Sequence, residues 1–319
     1  MSAMDSGLDP GLHADFCRSD RKRTILQSPH VAFLGPHGTY TEEAMFQYFG
    51  TVQHVIVGET IDAVFLALKQ GQADLAVVPI ENSTEGTVNL TVDFLIESGV
   101  AISGEVVLPV SHCLLTKSGT LDGMVRVLGH QQALAQCRAW LDRHAPGMPR
   151  ESVSSNAIAA RRAGAEPGCA AIASARAAAH YDLRVAADAI QDQANNCTRF
   201  VILGGEPVEP TGSDRTSILI QLKHSVGSLA RVFETIARCR VSVLWLESRP
   251  LRTCPWTYWF LLDLRGHRHD ANVAAALEEL KTVAEELRVV GSYPYACDWT
   301  SLASVANSSD PAPATQLCV

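Results

Sequence analysis

Residues 195–203, "NNCTRFVIL", place amide, hydroxyl and guanidinium groups directly before an apolar run. A structural turn needs Asn or Gly, but it does not need Thr198, Arg199 and Phe200 in succession. A threonine hydroxyl donates a hydrogen bond, and an arginine offers a permanent cation whose planar fork suits a carboxylate. The residue types therefore indicate a site, provided that other parts of the chain supply matching groups.

Four further polar segments follow apolar runs: "GPHGTYT", "ENSTEG", "GHQQ" and "SSNA". They contribute hydroxyls, amides, a carboxylate and glycine-rich turns. In open α/β sheets, ligands bind beyond the carboxyl ends of the strands. Polar groups at five such places predict one site that is assembled from loops.

The elements that must position these groups alternate from about residue 30 to 204. Short apolar runs and helical patterns follow one another, which indicates an α/β fold. The nearly unbroken apolar run "ADLAVVPIEN" is typical of a parallel sheet covered on both faces. Thr39 and Glu42 have capping-box spacing and predict a helix start. The segment "QQALAQCRAWLDRH" predicts one further helix.

A Gly- and Pro-rich linker at 204–214 precedes a segment with a different order of elements. Residues 215–297 read strand, helix, strand, strand, helix, strand, which is the ferredoxin-like βαββαβ order. The second helix is predicted over "DANVAAALEELKTVAEELR" and the last strand over "VVGSYP". Residues 1–29 and 303–319 lack periodicity, and we predict that both are disordered.

Composition excludes several classes of protein. The chain has 319 residues and a net charge of -8, which argues against a nucleic-acid partner. Its nine cysteines show no metal-ligand spacing, so we predict no metal, and their odd number favours a reducing compartment. Residues 1–30 lack the apolar core of a signal peptide, and no apolar run approaches the ~20 residues of a membrane helix. We therefore expect a cytoplasmic protein with no membrane partner.

The motifs "GPHGTYTEEA", "VVPIENSTEG", "HQQALAQC", "NNCTRFVIL" and "ESRP" together resemble the prephenate dehydratase family. The resemblance covers roughly residues 30–297. It implies a two-lobed catalytic domain at 30–206, similar to periplasmic binding proteins, followed by an ACT regulatory domain at 215–297. Lobe 1 would span about 30–108 plus 190–204, and lobe 2 about 109–189.

The implied reaction converts prephenate to phenylpyruvate, carbon dioxide and water, and it requires no cofactor. By the resemblance, Thr198 contacts the leaving hydroxyl, Arg199 holds a carboxylate, and Glu81 supplies the proton. Three structural alternatives stay open. Thr198 could cap a turn, Arg199 could form an ion pair that orders the crossover between lobes, and Glu81 could cap the turn after its strand.

The remaining implied residues fall into two sets. The substrate-binding set is Gly38, Thr39, Asn82, Ser83, Gly86, Ser155, Asn156, Asn196 and Phe200, although Phe200 is expected to pack beneath the loop more than to touch substrate. The set for an allosteric effector, L-phenylalanine, is Gly227, Leu229, Ala230, Glu247, Ser248, Arg249 and Pro250. The ACT resemblance also implies a homodimer or homotetramer.

Three other functions remain open. An arogenate dehydratase would use the same chemistry, a prephenate decarboxylase would keep the hydroxyl, and an amino-acid sensor would not catalyse at all. The intact "TRF" at 198–200 disfavours the decarboxylase, and the full set of polar loops disfavours the sensor.

Overall fold

The computed structural model describes residues 28–193, 195–223, 225–251 and 256–296. Within these ranges the strands form three sheets. Apart from Ser28 and Pro29, the terminal segments predicted to be disordered lie outside the described residues.

The elements are as follows, in chain order. The first part contains β1 (His30–Leu34), α1 (Tyr40–Phe49), β2 (His54–Gly58), α2 (Ile61–Lys69), β3 (Leu75–Asn82), β4 (Gly86–Thr87), α3 (Asn89–Ser98) and β5 (Ile102–Pro109). The second contains β6 (Cys113–Thr116), β7 (Arg126–His130), α4 (Gln131–Gln136), α5 (Arg138–His144), β8 (Arg150–Val153), α6 (Asn156–Ala165), β9 (Cys169–Ala173), α7 (Ala175–His180) and β10 (Arg184–Ala187). After β11 (Cys197–Gly204) come β12 (Asp214–Leu222), α8 (Ser228–Arg238), β13 (Val243–Pro250), β14 (Tyr258–Arg265), α9 (Ala271–Val283) and β15 (Ala284–Pro294).

The first sheet has the order β2-β1-β3-β11-β5, with β4 paired to β3. β1 is parallel to β2 and β3, but β11 is antiparallel to both β3 and β5. The strand "ADLAVVPIEN", predicted to lie in a parallel sheet, therefore has one parallel neighbour, β1, and one antiparallel neighbour, β11. The direction of β11 matters for the site, because its first residues lie beside the last residues of β3. Thr198 pairs with Asn82, and Arg199 pairs with Glu81.

The second sheet has the order β10-β6-β9-β7-β8, and the chain crosses between the first two sheets twice. One crossing follows β5 and the other precedes β11. Backbone hydrogen bonds join them, from Val110 N to Asn196 O (2.8 Å) and from Ile190 N to His112 O (2.8 Å). The loops at the edges of both sheets therefore meet around this paired crossing.

The third sheet is antiparallel, in the order β13-β14-β12-β15. Its elements follow the predicted βαββαβ order. One face packs against α8 and α9, and the other shares a core with the first sheet, where Leu219 and Trp259 join Ile80 and Leu95. Gly291 lies so close to β5 that a Cβ atom would overlap the Ile102 carbonyl oxygen. The third sheet therefore packs directly on the first.

Two helix predictions need correction. The segment 131–144 forms two helices, α4 and α5, because the chain departs from helical geometry at Cys137. The last helix ends at Val283 instead of Arg288, and β15 begins at once. Glu286 and Arg288 pair with Gln221 and Leu219 of β12. Strand pairing therefore overrides the helical propensity of "AEELR".

Candidate active site

Thr198 lies at the start of β11, beside the end of β3. The amide nitrogen Nδ2 of Asn82 lies 2.9 Å from Thr198 Oγ1, 2.8 Å from Asn196 Oδ1 and 3.2 Å from the Cys197 carbonyl oxygen. Because the hydroxyl oxygen accepts here, its proton is not used in this contact. Among the described residues, Thr198 donates no recorded hydrogen bond. The geometry therefore leaves the Thr198 O–H available to a substrate.

The orientation of the Asn82 side chain is set by the turn after β3. Its Oδ1 accepts from the backbone N–H groups of Thr84 and Glu85, both at 3.0 Å, and from Thr84 Oγ1 at 2.7 Å. These donors require the amide oxygen on that side. Nδ2 must then face Thr198, and the "ENSTEG" segment thereby fixes the direction of the donor.

A chain of hydrogen bonds continues from Asn196 to α4 and α1. Gln136 Oε1 accepts from Asn196 Nδ2 (3.2 Å) and lies 2.9 Å from His112 Nε2. The Tyr40 hydroxyl lies 2.9 Å from His112 Nδ1 and donates its proton to the Ser111 carbonyl oxygen (2.7 Å). Burial lowers the pKa of His112. Gln136 was not among the predicted site residues, and its place in the "HQQALAQC" motif was the available signal.

An open pocket of about 290 Å³ lies next to this network. Its lining residues are Thr84, Glu85, Gln132, Ala135, Gln136, Gln191, Asp192, Gln193 and Asn196. Asp192 is engaged in the protein, where it caps α5 through the N–H groups of Ala139 and Trp140. None of the described lining residues is a cation, so side-chain amides and a hydroxyl are the groups that would meet an anionic ligand.

Arg199 and Glu81, which were predicted as catalytic residues, lie in an ion pair with each other in this structure. Successive side chains of a strand point to opposite faces, so Arg199 lies on the face away from Thr198. Its side chain is 0% exposed, with Nε 3.1 Å from Glu81 Oε2 and Nη1 2.6 Å from Asp263 Oδ2 of β14. Burial raises the pKa of Glu81, and Arg199 partly opposes this shift. Both side chains therefore belong to an ion-pair network under the third sheet, which was the structural alternative for Arg199.

The expected anion site at Gly38 and Thr39 is occupied by the protein's own carboxylate. Gly38 N–H donates to Glu42 Oε2 (2.8 Å), and Thr39 Oγ1 caps α1 by accepting from Glu42 N (3.3 Å). His37 Nδ1 lies 2.6 Å from Glu42 Oε1, and His180 Nε2 of α7 lies 3.0 Å from Oε2. Burial would raise the pKa of Glu42, but the hydrogen bonds from His37 and Gly38 and the nearby charges lower it overall.

The same cluster contains potential metal ligands, although no metal was predicted. The ligand atoms of His37, Glu42 and His180 lie within 4.8 Å of one another. Arg176 Nε lies 3.4 Å from Glu42 Oε2, and its charge opposes a bound cation. We interpret the cluster as an ionic contact between the start of α1 and α7.

The other predicted substrate-binding residues have structural contacts. Ser83 Oγ accepts from Cys197 N (2.9 Å), Ser155 Oγ caps α6 through Ile158 N (3.1 Å), and Asn156 Oδ1 accepts from His130 N (2.9 Å). Phe200 is only 2% exposed and packs in the core of the first sheet. Gly86 pairs with Asn82 at a φ of 82°. Of this set, the structure brings the side chains of Asn82 and Asn196 into contact with the Thr198 network.

The predicted effector residues also separate into two places. Leu229 lines a pocket of about 370 Å³ on the third sheet, with Ser228, Tyr258 and Phe260 among its neighbours, and Gly227 and Ala230 flank it at the start of α8. Glu247 and Arg249 face the first sheet instead. Glu247 Oε2 accepts from Thr87 Oγ1 (2.5 Å), and Arg249 donates to Asp93 (2.7 and 2.9 Å) and Asn89 (2.8 Å). Ser248 and Pro250 alternate with them and are exposed. Within one chain these residues therefore do not form a single site.

Among the described residues, no helix combines the length and apolar character that crossing a membrane requires.

Comparison with known proteins gives consistent matches. A family model described as prephenate dehydratase matches residues 31–208. A bifunctional chorismate mutase/prephenate dehydratase of Neisseria gonorrhoeae is 42% identical over 269 residues, covering 83% of this chain and 74% of that protein. A prephenate dehydratase of Mycolicibacterium vanbaalenii is 36% identical over 284 residues, covering 83% of this chain and 91% of that protein. The structure of a prephenate dehydratase from Arthrobacter aurescens in complex with L-Phe is 32% identical, with a TM-score of 0.77 over 87% of this chain and 97% of that chain.

Proposed function

The chain belongs to the prephenate dehydratase family, and we propose on that basis that it is a carbon–oxygen lyase that converts prephenate to phenylpyruvate. The observation that carries the proposal is the Asn82–Thr198 pair. Because the hydroxyl oxygen of Thr198 accepts from Asn82, the hydroxyl proton can be donated to a ligand. A leaving hydroxyl group needs such a partner.

The reaction consumes one proton. Thr198 donates a hydrogen bond to the ring hydroxyl, the carbon–oxygen bond breaks, and that oxygen leaves as water. The carbon–carbon bond to the ring carboxylate breaks at the same time, carbon dioxide leaves, and its electron pair completes the aromatic ring. Threonine is a weak acid, so it acts as a relay and recovers its proton from water.

The lack of a cation among the described pocket-lining residues fits this chemistry. A cation held on the departing carboxylate would stabilise the ground state more than the transition state, in which that charge moves into the ring. Neutral amides such as those of Gln136 and Asn196 can orient a carboxylate without this penalty. No cofactor is needed, because the ring itself accepts the electron pair.

We assign residues 30–206 to the catalytic domain, with a periplasmic-binding-protein-like arrangement of lobe 1 (about 30–108 plus 190–204) and lobe 2 (about 109–189). Two separate sheets and the paired crossing between them support this division. Residues 215–297 are assigned to an ACT regulatory domain, which the βαββαβ order supports. The odd number of cysteines in the sequence favours a cytoplasmic location.

L-Phenylalanine is proposed as the effector at the pocket that contains Leu229. The aromatic and apolar side chains of Leu229, Tyr258 and Phe260 fit a benzyl group, and the free N–H groups at the start of α8 fit an α-carboxylate. The Arthrobacter aurescens relative was solved in complex with L-Phe. Val226 and Trp256 are 99% and 83% exposed near this pocket, which supports assembly into a homodimer or homotetramer there.

Arogenate is the second candidate substrate, because Glu85 places a carboxylate on the pocket wall where an ammonium group could bind. One assay separates the candidates. The full chain is incubated with prephenate or arogenate, and the products are followed by mass. Phenylpyruvate from prephenate supports the proposal, and a strong preference for arogenate with phenylalanine as product replaces it with the second candidate. A non-aromatic product or no turnover of either compound refutes both.

A further inference from the structure

We propose that Asp263, a residue of the third sheet, is a positioning residue for catalysis that holds Arg199 and through it Thr198. The inference rests on the proposed function for its kinetic consequence, but its structural part can be tested alone. It assigns a role in the reaction to a residue outside the catalytic domain.

The guanidinium of Arg199 is enclosed jointly by the first and third sheets. Asp263 Oδ2 lies 2.6 Å from Arg199 Nη1, which is closer than Glu81 Oε2 (3.1 Å from Nε) or Glu105 Oε2 (3.4 Å from Nη1). The ring of Trp245 on β13 lies 4.8 Å from the guanidinium carbon. The third sheet therefore supplies the shortest ionic contact and one wall of the Arg199 environment.

Asp263 is itself rigidly held. Its Oδ2 also lies 2.8 Å from Arg215 Nη1, and its Oδ1 accepts from Ser217 Oγ at 2.5 Å. Ser217 in turn contacts the Tyr293 hydroxyl at 2.6 Å. Asp263 is 1% exposed, and Arg199 is 0% exposed. A change at Asp263 cannot be relieved by water, so its effect must pass to the groups that it touches.

The backbone next to Thr198 depends on this anchor. The pairing of β11 with β3 shifts register between Arg199 and Phe200, so the regular ladder to β3 is interrupted one residue after Thr198. Bulges at such places direct neighbouring side chains. The β5 side of β11 pairs regularly across the same residues. The direction of Thr198 toward Asn82 therefore depends on where Arg199 and Phe200 are fixed on the opposite sides of the strand.

Loss of the Asp263 charge would leave two buried arginines, Arg199 and Arg215. Among the described residues, the fully buried carboxylate close to both of them would then be that of Glu105. Arg199 would then move toward Glu81 and Glu105 and turn the strand at the bulge. A displacement of about 1 Å at a reacting group can reduce rate by ~100-fold.

The test compares Asp263→Asn with the matched control Asp214→Asn in the full chain. Asp214 is a buried aspartate of the same sheet, 3% exposed, and its recorded hydrogen bonds reach Thr211 and Gly212 of the linker. We expect Asp263→Asn to lower kcat by about 10- to 100-fold with KM changed less than about 3-fold. Asp214→Asn should lower the melting temperature but leave kcat within about 2-fold of the parent.

Amide hydrogen exchange gives a readout that is independent of activity. Peptides that cover 197–203 should exchange faster in Asp263→Asn than in the parent or in Asp214→Asn. If Asp263→Asn does not fold, Ser217→Ala, which removes the contact to Asp263 Oδ1, should show the same pattern with a smaller loss of kcat. Parental kcat and parental exchange at 197–203 in a folded variant would overturn the proposal. If the parent itself does not turn over prephenate, the proposed function fails, and the exchange result alone decides the role of Asp263.

Discussion

Replacement of Thr198 by valine removes one hydroxyl group and keeps the branched shape that a strand accommodates. The resulting decrease in folding stability should be small. Asn82 Nδ2 keeps its contacts with Asn196 Oδ1 (2.8 Å) and the Cys197 carbonyl oxygen (3.2 Å), so no donor is left unsatisfied. A lost hydrogen bond of this kind reduces the free energy of unfolding by about 0.5–1.5 kcal/mol.

The effect of Thr198→Val on catalysis should be much larger. Loss of a positioned proton-transfer group costs about 10²–10⁴-fold in rate. That range corresponds to about 2.7–5.4 kcal/mol in activation free energy. Because the catalytic loss exceeds the folding loss, the variant should be folded and nearly inactive. Thr198→Ser, which keeps the hydroxyl, should retain far more activity than Thr198→Val.

The assay measures the release of phenylpyruvate from prephenate, together with the melting temperature of each variant. Thr91→Val is the matched control, because Thr91 is 0% exposed and its hydroxyl donates to the Pro79 carbonyl oxygen of β3 at 2.6 Å. It should lose stability and keep its kcat. Turnover by Thr198→Val within a few-fold of the parent, or an equal loss in Thr91→Val, would refute the role of the Thr198 hydroxyl.

Three further predictions follow from the ion pairs and the effector pocket. Arg199→Lys should lower the melting temperature and kcat while KM changes little, because the Arg199 side chain contacts Asp263 and not the pocket. A rise in KM of about tenfold or more with an unchanged melting temperature would instead support a substrate-binding role for Arg199. Burial acts to raise the pKa of Asp263, but Arg199 and Arg215 lower it overall. The ionised carboxylate therefore stabilises the fold above about pH 4, and this stabilisation is lost as the pH falls through the lowered pKa. The difference in unfolding free energy between the parent and Asp263→Asn, measured with urea, should therefore be smaller at pH 3 than at pH 7, and a larger difference at pH 3 would contradict the assignment. Leu229→Trp should fill the proposed effector pocket and raise the phenylalanine concentration for half-maximal effect at least ~10-fold. The effect is expressed as a fraction of the variant's own rate without phenylalanine, and an unchanged half-maximal concentration would place the effector elsewhere.

The order of elements could be predicted because periodicity is a local property of the chain. The alternation before residue 204 and the βαββαβ order after it both rest on such patterns. The direction of β11 could not be predicted in this way. It depends on pairing with β3 and β5, and Thr198 and Asn82 are 116 positions apart in sequence. The same limitation applies to "AEELR", where pairing with β12 decides the structure.

The misplacement of Arg199 has a more specific cause. The prediction of one site assembled from loops implied that neighbouring side chains of "NNCTRF" converge on one ligand. The structure begins β11 at Cys197, so Thr198 and Arg199 must point to opposite faces. The same alternation separates Asn82 from Glu81 at the end of β3. An earlier start of β11 would have predicted the separation of Thr198 from Arg199, and the predicted strand "ADLAVVPIEN" already implied the separation of Glu81 from Asn82.

Glu42 shows a different limit of sequence patterns. The glycine-rich start of α1 was predicted to bind substrate, since free N–H groups at a helix start favour negative charge. The pattern did not indicate which anion. The structure fills the position with Glu42, five residues after His37, and adds His180 from the second part of the chain. A substrate carboxylate could use Gly38 N–H only by displacing a side chain that is 2% exposed.

The strand that carries Thr198 and the short strand β4, which pairs with the end of β3, each contact the third sheet. Thr87 of β4 donates a hydrogen bond to Glu247, and it pairs with Glu81, the residue before Asn82. Arg199 of β11 donates a hydrogen bond to Asp263. Glu247 and Asp263 lie on the neighbouring strands β13 and β14, where Glu247 pairs with Leu261 and Trp245 pairs with Asp263. An effector changes activity only if it binds two arrangements of these contacts with different affinity. A shift of β13 against β14 would alter both contacts at once. Such a shift would act on the proposed donor through the hydrogen bond of 2.9 Å from Asn82 to Thr198.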